Sequence, residues 1–441
     1  MCVDITLWEH MQSTLRSKKA TKKAIEYLLF FVGLCLSALM FKTLMIHTDN
    51  TQLMDKSLKV LQTGEWTHHG NAATKMGSLP GSFLTVVTTL PMMVWFSPYA
   101  AMAGVLLFHI LSYLILRNLG FKYVRNFEPL VLVVFYWLNP WRVEEAELYN
   151  PGYLFLFSSL YFLCAYKLKD QKSFFYSALL VLCLGFCFQV HFSVLILGIS
   201  FLFLYFMKQI KVNYWGITTG LVLVALSLLP WFLELQHHQV EAIQTQSDTF
   251  IGKNLLLVYP VLKAILYFFR MGSLYCGGHV LAEVQFSWIA NETLRQIVTY
   301  LSKTIMWTVA VATLLLSFKY FGQFFKTYKK NKTSRNFFDY FLMSMFIGLV
   351  GSSGLSPVEF THWHLILCFP VIMFFIACEP EKYFAQKYVD LWPKRKSLVL
   401  AAASIIFIFW NIFASLDSHS HNFKNDYEHD FKIHYNLTQN E

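Results

Sequence analysis

Charge is what this sequence has least of. Asp, Glu, Lys and Arg make up 14% of its 441 residues, against 56% hydrophobic residues and 18% aromatic ones, and the mean hydropathy is +0.45. A soluble chain of this length needs far more charge to cover its surface. Other absences narrow the field. There is no phosphate-cradling P-loop, no glycine-rich dinucleotide motif and no serine nucleophile elbow, which argues against a cytosolic nucleotide-binding enzyme. No internal repeat is visible and charges avoid the centres of the apolar runs, unlike the repeated, broken helices of secondary transporters. The ten-residue alternation of a membrane barrel is missing too: runs such as LVLVALSLLPWFL and AAASIIFIFW are apolar all round. The eight cysteines lie mostly in or beside apolar runs and define no disulfide framework.

What is present is a series of apolar segments of about 18 to 22 residues, the length that crosses a hydrocarbon core. They predict an all-α polytopic membrane protein of about 11 transmembrane helices, at roughly 24–46, 98–116, 128–141, 151–166, 173–190, 193–207, 214–232, 296–318, 337–353, 361–377 and 397–415. The whole chain, 1–441, reads as a single transmembrane domain. Its N-terminal cluster LRSKKATKK before the first run reads as an uncleaved anchor. Every second connection is basic, and those connections gather 24 of the 36 lysines and arginines. By the positive-inside rule they face the cytoplasm, so the net charge of +10 implies contact with membrane lipid and no nucleic acid. The opposite side receives the connection 47–97, the connection 233–295 and the tail 416–441. Each of the two long connections holds an apolar segment, 82–96 or 254–273, expected to lie as an interfacial helix.

The first outer connection begins MIHTDNTQLMDKSLKVLQTGEW, followed by THHGNAATKMGSLPGSF. Later come LNPWRVEEAELYNPG between the third and fourth spans and FQVHFS between the fifth and sixth. This arrangement resembles the GT-C superfamily of membrane glycosyltransferases, in particular its bacterial aminoarabinose and protein O-mannosyl transferase branch. The resemblance covers roughly residues 24–210. Where the family carries Asp-Glu after the first span this chain has Asp49-Asn50, and the family's Pro-Pro is reduced to Pro80 alone.

The resemblance implies a sugar taken from a polyprenyl-phosphate carrier and passed, with inversion, to a lipid, glycan or protein acceptor outside the cytoplasm. The expected location is an integral membrane protein of the bacterial inner membrane. Inversion needs one carboxylate as general base, because the phosphate leaves without protonation. Asp49, a few residues past the first span, is at the depth where such a carrier holds its reacting carbon. Its structural alternative is to cap a helix starting near Thr51.

Among Arg142, Glu144, Glu145 and Glu147, the pair Glu144 and Glu147 would share a helix face. Glu147 is favoured as a substrate carboxylate or one that supports it, with a solvated loop as the alternative; Arg142 could contact phosphate or, beside Trp141, anchor at the interface. His191, Arg270 and His362 are further candidates for substrate binding. No cofactor is required; a divalent metal is conceivable, although no histidine spacing reaches a zinc signature. Other readings of the chain are an O-antigen polymerase or ligase, a lipid or sugar transporter, or a non-enzymatic envelope assembly protein.

Overall fold

The all-round apolar runs fold as helices because only a helix satisfies its own backbone hydrogen bonds away from water. A computed structural model of the chain describes residues 5–73, 77–237, 258–273, 276, 280, 282–330, 333, 335–356, 361–380 and 391–437. Sixteen α-helices occur among the described residues. They are α1 (Ile5–Thr43), α2 (Thr48–Thr63), α3 (Phe83–Val94), α4 (Pro98–Tyr123), α5 (Pro129–Leu132), α6 (Pro140–Glu144), α7 (Leu154–Leu168) and α8 (Phe174–Val190). After these come α9 (Leu195–Phe206), α10 (Tyr214–His237), α11 (Val258–Met271), α12 (Glu292–Lys330), α13 (Phe337–Gly354), α14 (Phe369–Cys378), α15 (Leu391–Leu416) and α16 (Tyr427–His434).

The protein is an all-α polytopic membrane protein. Among the described residues six helical segments are long and apolar enough to cross a bilayer: Ala20–Thr43, Pro98–Tyr123, Tyr214–Glu234, Glu292–Lys330, Phe337–Gly354 and Arg395–Leu416. The other segments expected to span fold as shorter helices, and the third is broken into α5, a π-helical turn at Val133–Trp137 and α6. Two spans outrun their expected ends, since α4 continues to Tyr123 and α12 reaches Lys330. The segments expected at the interface are helices of 12 residues (α3) and 14 residues (α11). At 1.5 Å per residue each is about 18 to 21 Å long, short of a hydrocarbon core about 30 Å thick. Residues 254–257 of the second lie outside the described residues.

One feature departs from helix. His69–Ala73 (β1) pairs antiparallel with Gly77–Pro80 (β2). The hairpin ends at Gly81, whose φ of +76° favours glycine and where a Cβ would stand 2.3 Å from Gln189 Oε1. The first connection is thereby seated against the end of α8.

The core is aromatic. Tyr136, Trp137, Trp141, Tyr153 and Phe155 are fully buried, and Phe369 of α14 packs on Tyr136, Trp141 and Phe155. Around it, α10 and α12 expose large apolar side chains such as Trp215, Leu226, Tyr300 and Leu315. Water would tolerate that surface poorly, whereas lipid accepts it.

Candidate active site

The site is built where α1 ends. After Thr43 the chain runs through Leu44–Ile46 to His47, which stands as N-cap of α2 in extended conformation. The sequence placed the helix start near Thr51 with Asp49 as its possible cap. The helix starts at Thr48, so Asp49 lies inside the first turn and does not cap it. Asn50 takes a capping role instead: its Oδ1 accepts the His47 backbone N–H at 3.1 Å. A carboxylate in the first turn is still favoured by the helix dipole, but the Asp49 side chain is exposed and left for other work.

The facing wall is the segment between α6 and α7. Glu147 Oε2 lies 3.6 Å from His47 Nε2, with side-chain exposures of 13% and 31%. Burial alone would lower the pKa of His47; the carboxylates of Glu147 and Asp49 outweigh it and raise the value above the ordinary 6.5. Asp49 is open to solvent on one side, but loss of water on the other raises its carboxyl, Glu147 adds to this, and His47 opposes it. The arrangement is an imidazole favoured towards its charged form by two neighbouring carboxylates, one of them reachable from outside. A carboxylate whose pKa is raised is a stronger base than a free one.

Further acids stand behind this group. Glu145 is 5% exposed; its Oε1 accepts the Trp141 indole N–H at 2.8 Å and its Oε2 has no hydrogen-bond partner. Burial, and then Glu144, push its carboxyl well up. Glu144 is likewise raised, by burial and then by Glu147 and Glu283. The acidic loop is therefore packed into the protein, where solvation alone would have left it in water.

The other candidates fall elsewhere. Arg142 is wholly buried. Its Nε donates to the Trp137 carbonyl at 2.8 Å, its Nη1 to Ser37 Oγ at 2.9 Å and its Nη2 to the Gly33 carbonyl at 3.5 Å, and its guanidinium lies 4.1 Å over the Trp137 ring. A Cβ on Gly33 would stand 2.3 Å from Trp137 Nε1, so the glycine is what lets this segment press against α1. Arg142 thus ties the broken third span to the first.

His191 caps a 3-10 turn, Nδ1 accepting the Ser193 backbone N–H at 3.1 Å, and its ring meets that of His364 at 5.3 Å. Burial, with His364 adding, lowers its pKa to about 3. A neutral imidazole with one nitrogen engaged makes a poor phosphate contact. His362 packs edge-on against Trp141 at 6.2 Å, the ring that holds Glu145. Arg270, in the last turn of α11, lies 5.4 Å over Tyr267. Among the described residues no three His, Cys, Asp or Glu side chains are grouped as metal ligands would be.

Two contributions had little or no signal in the sequence. Lys56, two turns after Asp49 on α2, donates to the Gly70 carbonyl and lies 3.5 Å from Asn71 Oδ1; burial lowers its pKa to about 8. Its seven-residue spacing from Asp49, which puts both near one helix face, was the available sign. The other is the tail. Met45 donates its backbone N–H to Ser420 at 2.8 Å, Asn422 to Thr43 at 2.9 Å, and Asp417 accepts from Ser287 of the second long connection.

No protein-family model and no curated protein matches the sequence. Among solved structures, two of ArnT from Cupriavidus metallidurans are similar. The one bound to undecaprenyl phosphate has a TM-score of 0.49 and 11% identity, over 88% of this chain and 64% of that one. The apo structure has a TM-score of 0.40 and 10% identity, over 85% of this chain and 78% of that one. The chain thus spans less than two thirds of the first ArnT structure. Overlaps of this depth establish neither family nor activity.

Proposed function

We propose that the chain is an integral membrane glycosyltransferase. It takes a sugar from a polyprenyl-phosphate donor and passes it, with inversion, to a hydroxyl or amine of a lipid, glycan or protein acceptor outside the cytoplasm, in the bacterial inner membrane. The observation that carries the reading is the meeting of Asp49 and His47 with Glu147 at the end of the first membrane helix. These residues come from two connections about a hundred positions apart. They are two of the three connections on which the sequence resemblance rests.

In this reaction the acceptor oxygen or nitrogen attacks the anomeric carbon from the face opposite the phosphate. The carbon–oxygen bond to phosphate breaks, the phosphate leaves as an anion, and the acceptor's proton passes to Asp49. Glu147 holds His47, and a charged imidazole there would offset negative charge as phosphate departs. Lys56 is a second cation in the same connection.

The test is turnover. Purified protein in lipid nanodiscs, given short-chain polyprenyl-phosphate hexoses and a hydroxyl acceptor, should release polyprenyl phosphate and form a glycoside of inverted configuration. Binding without release would favour the transporter or assembly-protein reading and overturn this one.

A further inference from the structure

The tail after α15 does more than end the chain. It returns to the end of α1, pairing Leu44 with His421, and α16 packs on α1 and α4. Tyr99 OH lies 3.3 Å from Asp426 Oδ1, and Tyr435 OH lies 3.4 Å from the Thr51 carbonyl in the first turn of α2. Tyr427 is 1% exposed within this cover.

His421 is the residue that the return delivers. It is 2% exposed, and the charges of Glu147 and His47 are both felt at its ring. Its tautomer follows from its neighbour. Thr43 Oγ1 lies 3.2 Å from the Leu39 carbonyl, an acceptor, so the hydroxyl proton goes there. The oxygen is left to accept, and His421 Nδ1, 3.4 Å away, carries the hydrogen that it accepts. Nε2 is then a bare lone pair, buried and without a hydrogen-bond partner. A buried acceptor with no donor is costly and uncommon, and this one calls for a ligand that brings an O–H or N–H group.

We propose that His421 is a substrate-positioning residue, its Nε2 accepting a hydrogen bond from a hydroxyl of the transferred sugar, so that the C-terminal segment forms part of the sugar subsite. The proposal rests on the transferase reading and adds to it the residue that selects among sugars.

The experiment is a coupling measurement on the full chain. His421→Asn keeps a donor near the Nδ1 position for Thr43 but has no acceptor where Nε2 was; His421→Gln restores a polar atom near Nε2. Wild type and both variants are titrated with short-chain polyprenyl-phosphate glucose, mannose and galactose and with their monodeoxy derivatives, reading both binding and kcat/KM. In the wild type, removal of one particular hydroxyl should weaken binding on the order of tenfold. In His421→Asn that same removal should cost nothing further, while penalties at the other hydroxyls stay as they were. The Gln variant should recover part of the discrimination.

Equal deoxy-sugar penalties in wild type and His421→Asn would overturn the proposal and leave the transferase reading standing. Failure of the wild type to bind any member of the set would contradict both. Should both variants lose their cooperative unfolding transition, His421 is a structural residue and the proposal is wrong.

Discussion

Two histidines, His47 and His191, each follow the last residues of an apolar helix and each stand as N-cap of the element that comes next. Sequence alone does not tell them apart. Their surroundings do: His47 meets carboxylates and is raised towards its charged form, whereas His191 meets a second imidazole and is held neutral, down to about 3. Position at a helix end is therefore a poor guide to chemistry, and the partner across the gap is a good one. The end of α1 gathers charged groups; the end of α8 brings two imidazoles together.

The comparison is sharpened most by removing the partner at the charged end. Glu147→Gln leaves shape intact but frees His47 and changes the charge seen by Asp49, so transfer should fall by up to about 10²-fold through lost positioning. Measured by histidine NMR, the His47 pKa should drop while that of His191 does not move. A normal rate in this variant would break the distinction drawn between the two ends.

Arg142 supplies a second contrast, between a tie and a phosphate contact. Arg142→Lys gives up the guanidinium fork reaching Trp137, Ser37 and Gly33, and hydrogen bonds of a charged group contribute about 1.5 to 3 kcal/mol each. Thermal or denaturant unfolding in nanodiscs should show lowered stability with donor affinity little changed. Weaker donor binding at unchanged stability would restore the phosphate role.

The smallest effect is on the pH dependence of stability. His191 has a folded value below its unfolded one, so its contribution is complete above about pH 6.5 and is lost as pH falls from there towards 3, where the unfolded chain takes up the proton. His47 has the opposite sign: its contribution is present below its unfolded value and is lost as pH rises through its raised folded value. His191→Asn, which retains a side chain able to cap, should flatten the acid side of the unfolding midpoint against pH and leave the alkaline side alone.

Some of this was open to reading and some was not. The helical membrane architecture was legible because apolar runs of spanning length leave the backbone one solution. Asp49 was singled out for its place just past the first span and Glu147 for the resemblance and its spacing from Glu144; that the two meet at His47 is visible only in the fold. The acidic loop misled: Glu144 and Glu145 are charged letters in a short connection, and only the fold shows them packed under Trp141 and beside one another. The β1–β2 hairpin gave no alternating pattern in HGNAA and GSLP. His421 was the least legible of all, since its partner Thr43 is 378 positions away and DSHSHNFKND has no periodicity to announce a packed segment.

The measurement that bears most directly on the central claim is the transfer rate of Asp49→Asn. The substitution keeps size and helix start, because His47 and Asn50 do the capping, and removes the charge and basicity of the one accessible carboxylate in the group. With general-base catalysis the variant should fold with the wild-type unfolding midpoint and transfer sugar about 10² to 10⁴ times more slowly. Transfer at the wild-type rate would contradict the assignment of Asp49 and, with it, the account of this site as catalytic.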